Sequence, residues 1–412
     1  MRAMVAGLLL LPMLATTCSS VAHADGGGAM DRYVAEVIAR NPSLRAGALR
    51  HSSYGDEAAA VSQWQDPTVA VMLDRVPQSE GGEMPMIRYQ VSQMVPFPGK
   101  LGLMRDAVER QGDGAAADVD SRRLDLRLAA ERAYVMLWMN AKRRELNRSQ
   151  RALASTIASA ALGRYGAGTG EHHDVVRAQV EINALDVEHI NLEGERDSTV
   201  AMINALRNQP SDVPFAAPLE LDATPQLPPL VTLADRAVTN RPELRRMRAM
   251  QREAGAMAQL ARRERYPDFM TSVWANQMIG GAPTMGAMVG VTVPVFGMSR
   301  GAHLGAAFDA RAQASVDDAE AMRAMIRAEV SEAYVKAQTA TRQLALLETI
   351  AGPKAHESFD SALAGYGSAR LDIVGLLDSR RALQSVQQAL IDARALRVLA
   401  QADLEHAVGG AP

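Results

Sequence analysis

Cysteine is almost absent from this sequence. The single residue, Cys18, lies in the first 24 positions, where Arg2 precedes the apolar run AMVAGLLLLPMLA and Ala22-His23-Ala24 precedes Asp25. That pattern reads as a secretory signal peptide over residues 1–24, and cleavage after Ala24 leaves a chain with no thiol and no disulfide. The other reading of these residues is a lipid anchor on Cys18. It fits less well, because branched Thr17 stands before the cysteine where a small residue is expected. Aromatic residues are also few: three Trp, eight Tyr and six Phe among 412. A chain so poor in large side chains and so rich in alanine suits close-packed helices better than a thick globular core. Beyond the leader no apolar run reaches the roughly 20 residues of a membrane helix, so a bilayer crossing would have to be made by strands. An excess of one charge is lacking too. The formal net charge is −3, and Arg and Glu scatter at helical spacing, which leaves no nucleic-acid footprint.

What the chain does have is one unusual junction. MIRYQVSQMV (86–95) alternates like a strand, with Ile87, Tyr89, Val91 and Val95 on one face and Arg88, Gln90 and Ser92 on the other. PFPGK (96–100) follows, and then a helical pattern runs to Tyr165 with no further break. About 65 residues at 1.5 Å each make a helix roughly 100 Å long. Gly112-Asp113-Gly114 is its weakest point, since glycine costs about 1 kcal/mol against alanine in a helix.

The plan occurs twice. Pro42, Leu44 and Pro67 recur as Pro242, Leu244 and Pro267, and Ala133-Tyr134-Val135 as Ala333-Tyr334-Val335, all at an offset of 200. Val95-Pro96 recurs as Val293-Pro294 and Tyr165-Gly166 as Tyr366-Gly367, at offsets of 198 and 201. A register held over a whole half-chain marks a duplication. The first repeat covers residues 25–208, with strands at about 68–76 and 86–95. A proline-rich linker occupies 209–230. The second repeat covers 231–412, with strands at about 268–277 and 285–294. In each half a helix precedes the strand pair, a long helix follows it, and a glycine-bearing tip turns into a last helix. Gly352-Pro353 is expected to bend the second long helix near its far end.

The helix before each strand pair and the last helix of each half together match the long helix in length, so the two can stack end to end beside it. The strands have the length of tilted transmembrane strands. Four strands cannot close a membrane barrel, and open edges in lipid would leave unpaired backbone groups. Three copies would supply twelve strands. Trp64 and Tyr266 before the outgoing strands, and Phe97 and Phe296 after the returning ones, are placed as an interfacial belt. The fold class expected is therefore mainly α with a membrane β-barrel: a duplicated helix–strand–strand–long helix–helix unit assembled as a trimer.

Catalytic motifs are missing: no phosphate loop after a strand, no nucleophile elbow and no H-E-x-x-H. His172 and His173 at the first tip are the best metal candidates. Adjacent helical residues point about 100° apart, so one chain would not chelate with both, and exposed polar tip residues are the simpler reading. Methionine is abundant, at 22 residues. Met84, Met86, Met278, Met285 and Met288 lie in or beside the strands, where soft thioethers would suit Cu(I), although gap-filling is methionine's commoner use. Asp174 and Asp378 stand one or two turns past the tips. Threefold repetition would bring six carboxylates near one axis, which selects cations; the alternative is an ordinary helix-dipole preference.

VSQMVPFPGK, the starts Asn41-Pro42 and Asn240-Arg241-Pro242, and Pro353 followed by Tyr366 and LDIVGLLDSRRAL (371–383) resemble the TolC-like outer-membrane efflux channels, in order and spacing over the mature chain. The resemblance implies a homotrimer with a twelve-stranded barrel in the outer membrane, bounded by lipid, and a twelve-helix periplasmic tunnel. It further implies a passive exit duct that is not an enzyme and has no cofactor. A periplasmic adaptor (membrane fusion) protein and an inner-membrane transporter, the RND type among them, would be its partners. Carried onto this chain, Asp174 and Tyr366 fall on gate positions and Asp378 on a pore ring. Leu371 and Gly375 replace a gate arginine and a second ring aspartate, and Arg370 is the nearest substitute cation. Gly166, Gly168, Gly170, Gly367, Arg370 and Leu371 form the tips expected to dock the adaptor. A soluble periplasmic coiled-coil adaptor or scaffold is the competing class. The lipoyl-like and barrel segments of such adaptors are not found here, whereas paired strands between helices fit a channel.

Overall fold

The computed structural model describes residues 28–74, 85–218, 220–221, 227–278, 280–368 and 370–410. The expected leader, Cys18 and Met84 lie outside them, as do the end of the first expected strand and part of the linker. The elements are α1 (Ala29–Arg40), α2 (Pro42–Val61), β1 (Thr68–Asp74), β2 (Met86–Val95), α3 (Lys100–Gly166), α4 (His172–Leu206), α5 (Leu230–Asn240), α6 (Pro242–Arg263), β3 (Asp268–Met278), β4 (Thr284–Thr292), α7 (Gly297–Leu346), α8 (Gly352–Gly367) and α9 (Ile373–Val408). A π-helical turn, Leu347–Ala351, joins α7 to α8. It stands immediately before the glycine-proline pair at which a bend was expected. β4 closes at Thr292, short of the expected 294, because Pro294 has no N–H to offer the ladder.

α3 runs 67 residues without interruption. Its expected weak point is instead a contact. Gly112 is buried, His51 Nδ1 lies 3.0 Å from its carbonyl, and an added β-carbon would stand 3.1 Å from Tyr54. Glycine at this place lets α2 approach α3 closely.

The segment before each strand pair is two helices, broken at the Asn41-Pro42 and Arg241-Pro242 starts. The Asn41 amide donates to the Leu206 carbonyl at 3.0 Å, and its Oδ1 accepts from Ser43 N–H. That bond joins the start of α2 to the end of α4. In the second half Arg241 donates to the Ala407 carbonyl at 3.1 Å, making the same joint between α6 and α9. The shorter helices α2 and α4, and likewise α6 and α9, therefore meet end to end beside the long one, while α1 and α5, which the expected length match had counted in the stack, pack aside.

The buried core follows the duplication. Val37, Leu44 and Ala133 are buried, and so are Ala237, Leu244 and Ala333, 200 positions later. One cluster joins Tyr33, Val37, Leu137 and Ile203; its counterpart joins Leu233, Leu244, Ile326 and Leu404. Alanines fill much of the space between helices, which keeps their axes close.

The four strands form one antiparallel sheet in the order β1-β2-β3-β4. β2 and β3, from different halves, pair along their full length, from Met86 opposite Met278 to Val95 opposite Phe269. The sheet of one chain is open, with β1 and β4 as edges.

Candidate functional site

The sheet has two unlike faces. Its continuous register puts Val71, Tyr89, Ala275 and Met285 in one row, with Val69, Val91, Val273 and Ala287 in the next row on that face. The opposite face carries Arg88, Gln90, Ser92, Ser272 and Asn276. Arg88 donates to Asn276 at 3.0 Å and lies over the Trp274 ring, and Asn276 donates to Thr284. Exposure separates the faces further. Val69 and Val289 are 71% and 76% exposed, whereas Ser272 on the polar face is 3% exposed. One face is therefore largely apolar, and the other carries the polar, hydrogen-bonded side chains. That is the partition of a membrane barrel wall, with lipid outside and a wet lumen inside.

The junction below the sheet is held by one carboxylate. Asp268 Oδ1 accepts from Phe97 N–H at 2.7 Å and from buried Lys100 Nζ at 2.8 Å, and Lys100 also reaches the Tyr266 carbonyl. Phe97 and Tyr266 stack at 4.5 Å, while Trp64 and Phe296 of the expected belt are exposed. Gly99 sits at φ 86°, where the left-handed backbone brings the Arg263 guanidinium onto the Pro98 carbonyl at 2.9 Å. Strand and helix are thus fixed to each other with no loop between.

At the far end the two tips differ. The first closes as a Schellman motif: Gly168 is at φ 74°, Thr169 N–H donates to the Arg164 carbonyl at 2.9 Å, and Gly168 N–H donates to Tyr165 at 3.0 Å. Gly170 is crowded, since a β-carbon there would stand 2.9 Å from Arg164 Cβ, whereas Gly166 has open space. His172 and His173 are exposed, and His172 meets the Tyr165 ring edge-on at 5.5 Å. Among the described residues no group of three His, Cys, Asp or Glu could hold a metal ion. Asp174 is half-buried in the first turn of α4.

The second tip is apolar. Leu371 N–H and Arg370 N–H both donate to the Gly365 carbonyl, Arg370 itself is exposed, and Gly367 has open space around it. Asp372 caps α9 by accepting from Gly375 N–H at 2.9 Å. The Leu371 side chain lies against Gly375, where a β-carbon would stand 2.8 Å from Leu371 Cδ1. The two positions at which this chain departs from the family pattern are therefore one packing pair. Tyr366 is 4% exposed and packs with Ile157, Ala161, Phe359 and Leu376; its hydroxyl finds no hydrogen-bond partner among the described residues. Asp378 is exposed, with Arg381 at 3.6 Å. Within one protomer no hydrogen bond among the described residues joins Asp174, Tyr366 and Asp378.

Two groups near the tips were not found by sequence reasoning. Arg164 stacks over the Tyr366 ring at 4.8 Å and reaches the Tyr366 and Thr169 carbonyls, so it spans both tips. Arg380, 1% exposed, pairs with Glu181 and is also held by Gln150 and Gln384 at 3.2 and 3.0 Å. Arg381 pairs with the other Glu181 oxygen. Burial alone would push the Glu181 carboxyl up, but Arg381 and Arg380 together hold it below the ordinary glutamate value. One signal for Arg380 was available: it occupies the apolar stripe set by Ile373, Leu376, Leu377 and Leu383.

Long paired helices under a two-faced, open four-stranded sheet define a channel-forming subunit whose barrel is shared between copies. The sequence model of the outer membrane efflux protein family matches residues 34–209 and 233–410, and the chain belongs to that family. It is 24% identical over 296 residues to the cobalt-zinc-cadmium resistance protein CzcC of Cupriavidus metallidurans, covering 71% of this chain and 70% of that protein. The fold is similar to that of CusC, with a TM-score of 0.81 at 15% identity over 92% of each chain. It is also similar to VceC of Vibrio cholerae, with a TM-score of 0.78 at 16% identity, covering 93% of this chain and 96% of that one. The protein is thus an exit duct of the outer membrane that extends into the periplasm and works with efflux-pump partners; the adaptor or scaffold reading is not favoured.

Proposed function

We propose that this duct exports metal cations, and that it docks a periplasmic adaptor protein at its tips, which joins it to an inner-membrane transporter of the RND type. The likeness to a cobalt-zinc-cadmium resistance protein over most of both chains carries the substrate class. Loss of the gene should then raise sensitivity to cobalt, zinc or cadmium and raise their cell content. Sensitivity to organic drugs alone would overturn the metal reading. Crosslinkers placed at Gly166, Gly168, Gly170, Gly367, Arg370 or Leu371 should capture the adaptor, whereas capture only at the 209–230 linker would reject tip docking.

In the trimer Asp174 and Asp378 ring the pore, and Tyr366 serves the gate. The support is the enclosed and unpartnered Tyr366 hydroxyl, a buried polar group that costs about 1–3 kcal/mol until a neighbouring carboxylate meets it. Tyr366→Phe combined with Asp174→Ala should raise single-channel conductance in planar bilayers. Asp378→Asn should weaken block by multivalent cations. No change in either would remove the gate assignment. Membership of the apolar face predicts that Val291→Arg destabilises the barrel by about 2–4 kcal/mol if it lies at the midplane.

A further inference from the structure

The branched apolar residues of the sheet all lie on one face: Val69, Val71, Leu73, Ile87, Val91, Val95, Val273, Val289 and Val291, with Tyr89, Phe269 and a single methionine, Met285. On the polar face no valine, leucine, isoleucine or phenylalanine occurs among the paired positions. Apart from Ala70 and Trp274, the apolar side chains there are methionines.

Three of those six methionines are neighbours, while Met86 and Met278 face each other at the other end and Met72 lies opposite Arg88. Met94 lies directly opposite Met270 across the β2–β3 pair. Met270 in turn lies opposite Gly290, and its terminal methyl stands 3.8 Å from where a β-carbon at Gly290 would be. The missing side chain leaves Met270 free to reach over β4 toward Met288, one position away on the same face. Directly opposed side chains have β-carbons about 4.5–5.5 Å apart, and diagonal ones about 7–8 Å, within reach of long side chains. Three methionines on three adjacent strands are thus cross-strand or diagonal neighbours at the helix-proximal end of the polar face. Gap-filling, the usual role of methionine in a core, does not account for them. Met94 and Met288 are 38% and 41% exposed, and Met94 borders an open cavity that helix residues Leu101, Met104 and Leu260 also line.

We propose that Met94, Met270 and Met288 form a binding site for a soft monovalent cation, Cu(I) or Ag(I), on the lumen wall of the barrel. Thioether sulfur is a soft, neutral ligand that prefers such ions to Zn(II) or Mg(II). A neutral donor set also holds a cation without a fixed countercharge, which suits a site that must release what it binds to the outside. The inference rests on the channel reading for the polar face being the lumen, but not on which metal the pump supplies.

The test uses the detergent-solubilised trimer and silver nitrate in chloride-free buffer, followed by titration calorimetry. Methionines elsewhere contribute background, so the readout is a difference. Met94→Leu with Met270→Leu conserves volume and should lose one equivalent of silver per chain. Met136→Leu with Met325→Leu, at exposed helix positions, should lose none. Zinc should bind all three proteins alike. Unchanged silver stoichiometry in Met94→Leu/Met270→Leu, or an equal loss in the helix variant, overturns the site. Conductance of each trimer in planar bilayers separates the two readings. Channels that conduct but bind silver alike reject the methionine site alone, whereas no conductance in the wild type rejects the channel reading beneath it.

Discussion

The two halves of the chain carry one plan with different finishes. In the first, α3 is a single 67-residue helix that ends in a polar, glycine-closed tip bearing two histidines. In the second, the equivalent helix is interrupted by a π-helical turn, and its tip is closed by Leu371 resting on Gly375. A duplicated unit placed three times would give six equal helical hairpins. Unequal tips instead divide the ring into two alternating sets, one built for polar contact and one for packing. The halves are then locked together by a charge from each, Glu181 from the first and Arg380 with Arg381 from the second.

That lock offers the largest test. Glu181→Gln leaves the Arg380 guanidinium buried with only amide acceptors, and apparent stability in denaturant should fall by about 3–5 kcal/mol. The exposed pair Arg151–Asp186 lies wholly within the first half, and Asp186→Asn should cost under about 1 kcal/mol. Equal losses would mean that the contact between halves has no special weight.

The tips can be compared by adding one methyl group to each. Gly170→Ala meets Arg164 at close range, and denaturant or thermal unfolding should show a loss of about 1–3 kcal/mol. Gly367→Ala enters open space at the end of a helix and should change stability by no more than about 0.5 kcal/mol.

The smallest effect is one of pH. The Glu181 carboxyl is held below its ordinary value, so its contribution is complete above about 4.5, the unperturbed value. It declines as pH falls from there through the depressed value, because the unfolded chain takes up the proton first. Thermal melting between pH 6 and 3 should steepen this loss in the wild type relative to Glu181→Gln. Parallel curves would show that the ion pair is not the acid-labile contact.

Much of this fold was legible in the sequence because its signals are periodic. Strand alternation placed Ile87, Tyr89 and Val91 on one face and Arg88, Gln90 and Ser92 on the other, and the recurrence of Pro42 as Pro242 marked both helix starts. The junction at PFPGK was visible as punctuation without room for a loop. What stayed hidden depends on pairs far apart in sequence. Arg380 could be seen in an apolar stripe, but its partner lies 199 residues away and on another helix. Gly112 read as a weak point because local propensity knows nothing of Tyr54 packing against it. Leu371 and Gly375 read as two separate positions in the sequence, and only the structure shows that one packs on the other. The methionine triad was partly in view, since Met288 was singled out; Met94 and Met270 joined it only once the register between halves was fixed.

The π-helical turn has a consequence for how the duplication aged. Val135 and Val335 are 200 residues apart, yet Tyr165 and Tyr366 are 201 apart. The second long helix therefore holds one residue more than the first between those landmarks, and Leu347–Ala351 lies in that interval. A helix that absorbed that residue by ordinary winding would turn everything beyond it by about 100°, pointing Phe359 and Tyr366 away from the interior they fill. Widening a single turn swallows the extra residue and restores the phase below it. The turn is in this sense the seam of a one-residue difference, closed so that the second tip kept its orientation while the two halves of the gene drifted apart in length.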